Sequence, residues 1–251
     1  PERLRQSIDG IQRPFRTTHC HLRPKRLRPL SIYPPLPLRV PMADDMPDPK
    51  ELARELWVKN YKINLITEAL EPKLYIMSGL PLSGKSYLAR RIIERSRADV
   101  VYIENDLVRR QIVEHLGWGQ PKYTPDEHRL VYDTSHELMW IALSFSFHTI
   151  FDATNLNEKY RQRIYEIADT VGASVLVVKT AVDEETAERR SAEKFQSEER
   201  PDHSDAGVDI YRLLSKEDEP IEFCSRDHVL LDTSKRDVDE LIDEHGLLLD
   251  E

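Results

Sequence analysis

The sequence predicts an α/β fold: a five-stranded, mostly parallel sheet covered by helices on both faces, with a lid segment. Three observations carry this. Short, nearly continuous apolar runs alternate with helical stretches from residue 73 onward, the pattern of strands buried on both faces and joined by crossover helices. A glycine-containing turn follows the first of these runs and opens a helix. The 251 residues, 39% hydrophobic and 32% charged, suit a soluble domain long enough to bury a core.

Residues 1–41 read as a disordered extension. They hold nine Lys+Arg against two acids, and eight of the sixteen prolines. The first methionine is Met42, and the natural start is expected there, which makes 1–41 upstream sequence. The alternative is a basic targeting or nucleic-acid arm, although its prolines would break the amphipathic helix of a transit peptide. Residues 42–72 form an N-terminal helical segment, with Asp48 as N-cap, Pro49 at the first helical position, and Leu52, Leu56 and Trp57 on one face.

The main domain spans 73–251. Strands are expected at 74–78, 100–105, 148–154, 173–180 and 228–234. Helices are expected at 84–96, 107–115, 125–147, 157–170, 183–195 and 236–245. The loop 117–124 contains Trp118, which either caps a substrate or packs on the domain. A charged stretch, "SEERPDHSDAG", follows the sixth helix, and the lid is placed at about 190–206.

Composition excludes several classes. Cys20 and Cys224 are far apart and in no Cys/His cluster, so neither a disulfide framework nor a structural zinc site is expected, and a reduced cytoplasmic setting is. The nine histidines show no metal spacing. The longest apolar run, Leu138 to Phe147, is ten residues with two serines, too short to cross a bilayer. No membrane and no particular protein partner is implied. The net charge of −9, less the basic extension, leaves −16 on residues 42–251, which disfavours a long nucleic acid as partner.

"GLPLSGKS", residues 79–86, is the chemistry-bearing motif: Gly-x4-Gly-Lys-Ser between a strand and a helix. Its backbone N–H groups, Gly79 through Tyr87 (Leu80, Pro81, which has no N–H, Leu82, Ser83, Gly84, Lys85 and Ser86 between them), would cradle phosphates at a helix N-terminus. Lys85 would reach the β- and γ-phosphates, and Ser86 would ligate Mg²⁺. The predicted architecture is therefore a P-loop NTPase three-layer sandwich, with ATP and Mg²⁺ as cofactors. Leu82 replaces a commonly small residue and is tolerated if its φ stays negative. Tyr87 replaces a common Thr and cannot substitute closely for that short hydroxyl.

Asp106, read as ending the second strand, and Asp152, ending the third, should open on one crevice with the loop. Asp106 is either a proton acceptor for an attacking hydroxyl or a helix N-cap. Arg109, one helical turn on, either binds an anionic substrate group or is solvated, and Asp152 either serves the site or caps or pairs with an Arg. "LYIMSGLPLSGKSYLARRI", "IENDLVRR", "TIFDATNLNEKYRQRI" and "TAERRSAEK" in that order resemble the zeta-toxin and polynucleotide-kinase-like P-loop kinases, a group that includes AAA-type kinases and chloramphenicol phosphotransferase. The resemblance covers roughly residues 73–235. It implies Asp106 as general base, Arg109 as an acceptor-binding residue held by Asp152, Arg161 as a further substrate-side residue, and Arg190 as a lid cation with Lys85 in catalysis. Lys194 stands where a second lid Arg is usual and lacks the planar fork. The implied reaction is transfer of the γ-phosphoryl group of ATP to a small-molecule, nucleotide or polynucleotide 5′-hydroxyl. The alternatives are an ATPase or nucleotide switch without an acceptor, and a non-catalytic nucleotide-binding module.

Overall fold

The computed structural model describes residues 46–61, 69–196, 204 and 206–250. The expected extension at 1–41, and residues 197–203 and 205 of the expected lid, lie outside them. Five strands form one sheet: β1 (Lys73–Ser78), β2 (Val100–Glu104), β3 (His148–Asp152), β4 (Ser174–Ala181) and β5 (His228–Asp232). Their order is β2-β3-β1-β4-β5, and every pairing is parallel. The helices are α1 (Pro49–Asn60), α2 (Lys85–Arg95), α3 (Asn105–His115), α4 (Pro125–Ser144), α5 (Glu158–Val171), α6 (Glu184–Gln196), α7 (Val208–Leu214) and α8 (Val238–Glu244).

Strand alternation divides the core into two layers. Leu74, Ile76, Val101, Ile103, Phe151 and Val177 face α1, α3, α4 and α5. Tyr75, Met77, Ile150, Val178 and Leu231 face α2 and α8. The sheet is thus covered on both sides, as its apolar strands require. Register sets the carboxyl ends level: Met77 lies opposite Asp152, and Glu104 also lies opposite Asp152. Two carboxylates therefore sit side by side where the central strands end.

Helix boundaries follow local chemistry. Thr124 caps α4 by accepting the Glu127 N–H at 3.2 Å, ahead of Pro125. Gly172, at φ 72, ends α5 in the left-handed conformation a glycine adopts freely. Two boundaries differ from the sequence expectation with consequences for the site. β2 ends at Glu104, so Asp106 belongs to the first turn of α3 rather than to the strand end. The α3 N-cap is Glu104, which disposes of the capping role for Asp106. The short α7 was not anticipated, because its seven residues carry too little periodicity to register.

His136 is half-buried on α4 with its ring near Tyr132 and Phe151, at centroid distances of 6.2 and 6.0 Å. Its Nε2 has no partner, and burial, with a smaller contribution from Arg163, holds its pKa down at about 4. The unfolded chain takes up a proton below about pH 6.5 that the folded protein refuses until about pH 4. Stability should therefore fall as pH drops through that window. His136→Leu should remove about 2 kcal/mol of this loss, read as a shallower decline of the urea midpoint between pH 7 and pH 4.5.

Candidate functional site

A cleft of about 1010 Å³ opens at the carboxyl ends of β1, β2 and β3. One wall is the loop 79–86 with the start of α2. Gly79, at φ 143, donates its N–H to the Thr154 carbonyl at 2.9 Å. A Cβ there would lie 2.6 Å from the Thr180 carbonyl oxygen, so only glycine fits. Gly84, at φ 81, is the N-cap of α2 and brings no capping side chain. That leaves first-turn amides for an anion. Ser83 is buried, and its hydroxyl links to the Leu80 carbonyl and the Thr180 hydroxyl, both at 2.7 Å. Pro81, Leu82, Gly84, Lys85, Ser86 and Tyr87 line the cleft, whereas Gly79, Leu80 and Ser83 act beneath it as the loop's support.

Leu82 has φ 67, so the condition set for its easy tolerance, a negative φ, is not met. A left-handed conformation costs a branched residue about 1–2 kcal/mol. The neighbours hold it there: Arg190 donates to the Leu82 carbonyl at 2.9 Å, and the Leu82 side chain packs against the small cluster that includes Leu80 and Tyr211.

Asp152 is 3% exposed at the end of β3. Its Oδ2 accepts from the Tyr102 hydroxyl at 2.7 Å, while Oδ1 is buried without a hydrogen-bond partner. Burial raises its pKa, opposed by Lys85 and by the neighbouring Ser86 and Tyr102 hydroxyls. The orphaned oxygen beside Ser86 and Lys85 is a fit for a hard cation taking few protein ligands. Among the described residues there is no group of three His, Cys, Asp or Glu side chains that could hold a metal alone.

On the opposite wall, Asp106 is half-buried, lines the cleft, and has no ion pair among the described residues. Arg109 also lines it, but Asp152 does not hold it. Its Nη1 donates to Glu127 Oε1 at 2.6 Å, its Nη2 meets His128 Nδ1 at 3.1 Å, and its guanidinium lies 4.8 Å from the Tyr123 ring centre. α4 comes closer to α3 than β3 does, so the helix supplies the counter-ion. Tyr123, His128 and Tyr132, which line the cleft, and Glu127, which holds Arg109 from behind, are residues the sequence reasoning missed. The signal for Glu127 was ambiguous: Thr124-x-x-Glu127 is a capping-box spacing, yet its carboxylate turns to Arg109 and to the Lys122 N–H.

Arg161 is not in the cleft. It is fully buried on α5, donating to the Asn155 carbonyl at 2.7 Å, to Tyr165 at 3.0 Å and to Glu158 at 3.1 Å. Asn155, at φ 42, donates in turn to the Met77 carbonyl at 2.8 Å. Arg161 therefore braces the β3–α5 loop under the phosphate loop, and it does not line the cleft in which a substrate-side role was expected of it. Arg190 lines the cleft but is engaged below it, with Nη2 on the Thr233 carbonyl at 2.6 Å. Lys194, 7% exposed, also lines the cleft and reaches the Ala206 carbonyl at 3.4 Å. Trp118 packs on the core rather than over the cleft.

The AAA domain family model matches residues 74–209, more than half of the chain. The chain belongs to the AAA domain family. Among solved structures, the fold matches a "putative kinase" from Chloroflexus aurantiacus at a TM-score of 0.55 and 15% identity, over 71% of this chain and 98% of that one. The PezAT toxin–antitoxin structure from Streptococcus pneumoniae matches at 0.54 and 15%, over 75% and 80%. A sugar kinase from a Janibacter species matches at 0.50 and 16%, over 71% and 99%. At these identities the likeness is one of fold, and it is the α/β P-loop fold the sequence implied. No curated protein matches the chain in sequence. Within this family member, the motif residues at 79–86 lie where a P-loop belongs, between the central strand and the helix behind it.

Three variants separate site from scaffold. Leu82→Gly should bind nucleotide as well as the native protein, whereas Leu82→Ile, β-branched at positive φ, should bind about tenfold more weakly in a fluorescent-nucleotide titration. Arg161→Met should cost about 1–3 kcal/mol by leaving the buried Asn155 carbonyl without this donor, read in urea unfolding. The fraction that stays folded should keep its affinity for nucleotide.

Proposed function

We propose that the protein is an ATP-dependent phosphotransferase that moves the γ-phosphoryl group to a hydroxyl of a small acceptor. The observation that carries this is Asp106: a carboxylate without an ion pair among the described residues, in the same cleft as Lys85 and Ser86 but on the opposite wall. A nucleotide-binding module has no use for that pairing of walls. A transferase needs it, because donor and acceptor must meet in one place.

The chain's residues divide the work. The amides at the start of α2 and Lys85 bind and orient the β- and γ-phosphates. Ser86 and Asp152 Oδ1 would hold Mg²⁺, which when bound neutralises charge on the phosphate oxygens. Asp106 accepts the proton of the acceptor hydroxyl as its oxygen bonds to the γ-phosphorus and the bond to the β-phosphate oxygen breaks, leaving ADP. Arg90, Arg190 and Lys194, which also line the cleft, place positive charge around the transferred group. Catalysis on this reading is mostly positioning and charge stabilisation. No helix among the described residues is long and apolar enough to cross a membrane.

Asp106→Asn should leave nucleotide affinity unchanged and lower phosphoryl transfer by a factor of about 10²–10⁴. Lys85→Ala should weaken both. The measurement is transfer of labelled γ-phosphate to a panel of hydroxyl acceptors, alongside ADP release. ADP release with no labelled acceptor would favour an ATPase or nucleotide switch. Unchanged turnover in Asp106→Asn would remove the base assignment.

A further inference from the structure

The two walls of the cleft differ in charge. Lys85 and Arg90 come from the start of α2, and Arg190 and Lys194 from α6, so these four cations sit on the loop side. From α3 and α4 the cleft is lined by Asp106, Arg109, His128 and Tyr132, with Tyr123 from the loop before α4. Arg109 is the one cation lining that side among the described residues, and its charge is already answered. Both members of the Arg109–Glu127 pair are nearly inaccessible, with side-chain exposures of 4% and 3%. His128 accepts from the second amino group of Arg109, which requires an unprotonated Nδ1. Burial, then Arg109 itself, holds the His128 pKa down, so the ring adds no positive charge at neutral pH.

An anionic group close to the reacting hydroxyl would therefore face Asp106 with no spare cation on its side among the described residues. Recruiting Arg109 would strand Glu127, buried and 2% exposed, without its partner, and a buried charge left unpaired is strongly unfavourable. Arg109 Nε is buried and has no hydrogen-bond partner, a donor that suits a neutral oxygen. The flat, amphipathic rings of Tyr123 and Tyr132 suit the C–H faces of a hydroxylated ring.

We infer that the acceptor is an uncharged, hydroxylated ring compound, a sugar or a nucleoside with no phosphate or carboxylate beside the reacting hydroxyl, and that Glu127 enforces this by engaging Arg109. The inference rests on the phosphotransferase reading and narrows it. It turns the Arg109 of the motif from a receptor for anions into a positioning residue, and makes Glu127 a determinant of specificity.

The test uses matched acceptors that differ by one phosphate: thymidine against thymidine 3′-monophosphate, and glucose against glucose 1-phosphate. The readout is kcat/KM for labelled γ-phosphate transfer by the full chain. The neutral member of the active pair should be preferred by at least about tenfold, as like-charge opposition would dictate. Which pair is active tells the sugar from the nucleoside. Glu127→Gln keeps the shape but removes the charge, and should shrink that ratio several-fold by freeing Arg109 for the phosphate. If thermal melting shows that variant unfolded, the native ratio decides alone. Preference for the phosphorylated member, or an unchanged ratio in a folded Glu127→Gln, overturns the inference and leaves the kinase reading standing. ADP release without transfer to any member of either pair defeats both.

Discussion

The cleft depends on one piece of backbone stitching, between the root of the phosphate loop and the chain leaving β3. The Gly79 N–H is held by the Thr154 carbonyl. The Ser78 hydroxyl donates to the Asn155 carbonyl at 3.0 Å, and the Asn155 side chain returns to Met77. These bonds lock neighbouring strands together where they stop being strands and start being a site. Every group of the loop is placed relative to them, and so is Asp152, which lies two residues before Thr154. Arg161 supplies the last member by engaging the same Asn155 carbonyl from below. A buried guanidinium is a costly support, and here it is offset by Glu158, Tyr165 and a backbone acceptor together.

The two walls are made rigid by different means. The loop side uses backbone conformations that side chains resist: Gly79, Leu82 and Gly84 all have positive φ. Arg190 and Thr233 then tie the loop to the end of β5, since Thr233 also donates to the Ser83 carbonyl at 2.8 Å. The α3–α4 side uses charge pairing and ring stacking instead. Tyr123 is a further non-glycine residue at positive φ, 55°, and that conformation accompanies a ring set over Arg109. Strain thus appears on both walls where the cleft is shaped, as expected where the surrounding structure over-determines a local conformation.

Much of this was legible in the sequence, and the limits have physical causes. Continuous apolar strands and the Gly-Lys-Ser spacing identify sheet and loop, because burial on both faces and close approach of an anion each demand particular residue types. Asp106 and Asp152 were legible as cleft residues from their places near strand ends. What sequence could not separate was which Arg works in the cleft and which works beneath it. Arg109 and Arg161 occupy similar helical contexts in similarly charged stretches and both end up buried, and only packing sets one against the cleft and the other beneath the loop. Glu127 was hidden because its spacing from Thr124 fits helix capping equally well. The positive φ of Leu82 was not legible either, since the cluster that holds its side chain includes Tyr211 on the unanticipated α7.

The uneven distribution of charge in the cleft has a consequence for traffic through it. On the proposed reaction the acceptor arrives neutral and leaves carrying a phosphate. That group is made on the side of the cleft with cations and must depart past Asp106 and an Arg109 already satisfied by Glu127. The wall that admits the acceptor is then the wall that repels what it has become. Such a site empties itself: rebinding of the phosphorylated product is opposed by the same carboxylate that helped to make it, and the forward direction gains an advantage at release that no residue of the phosphate loop supplies.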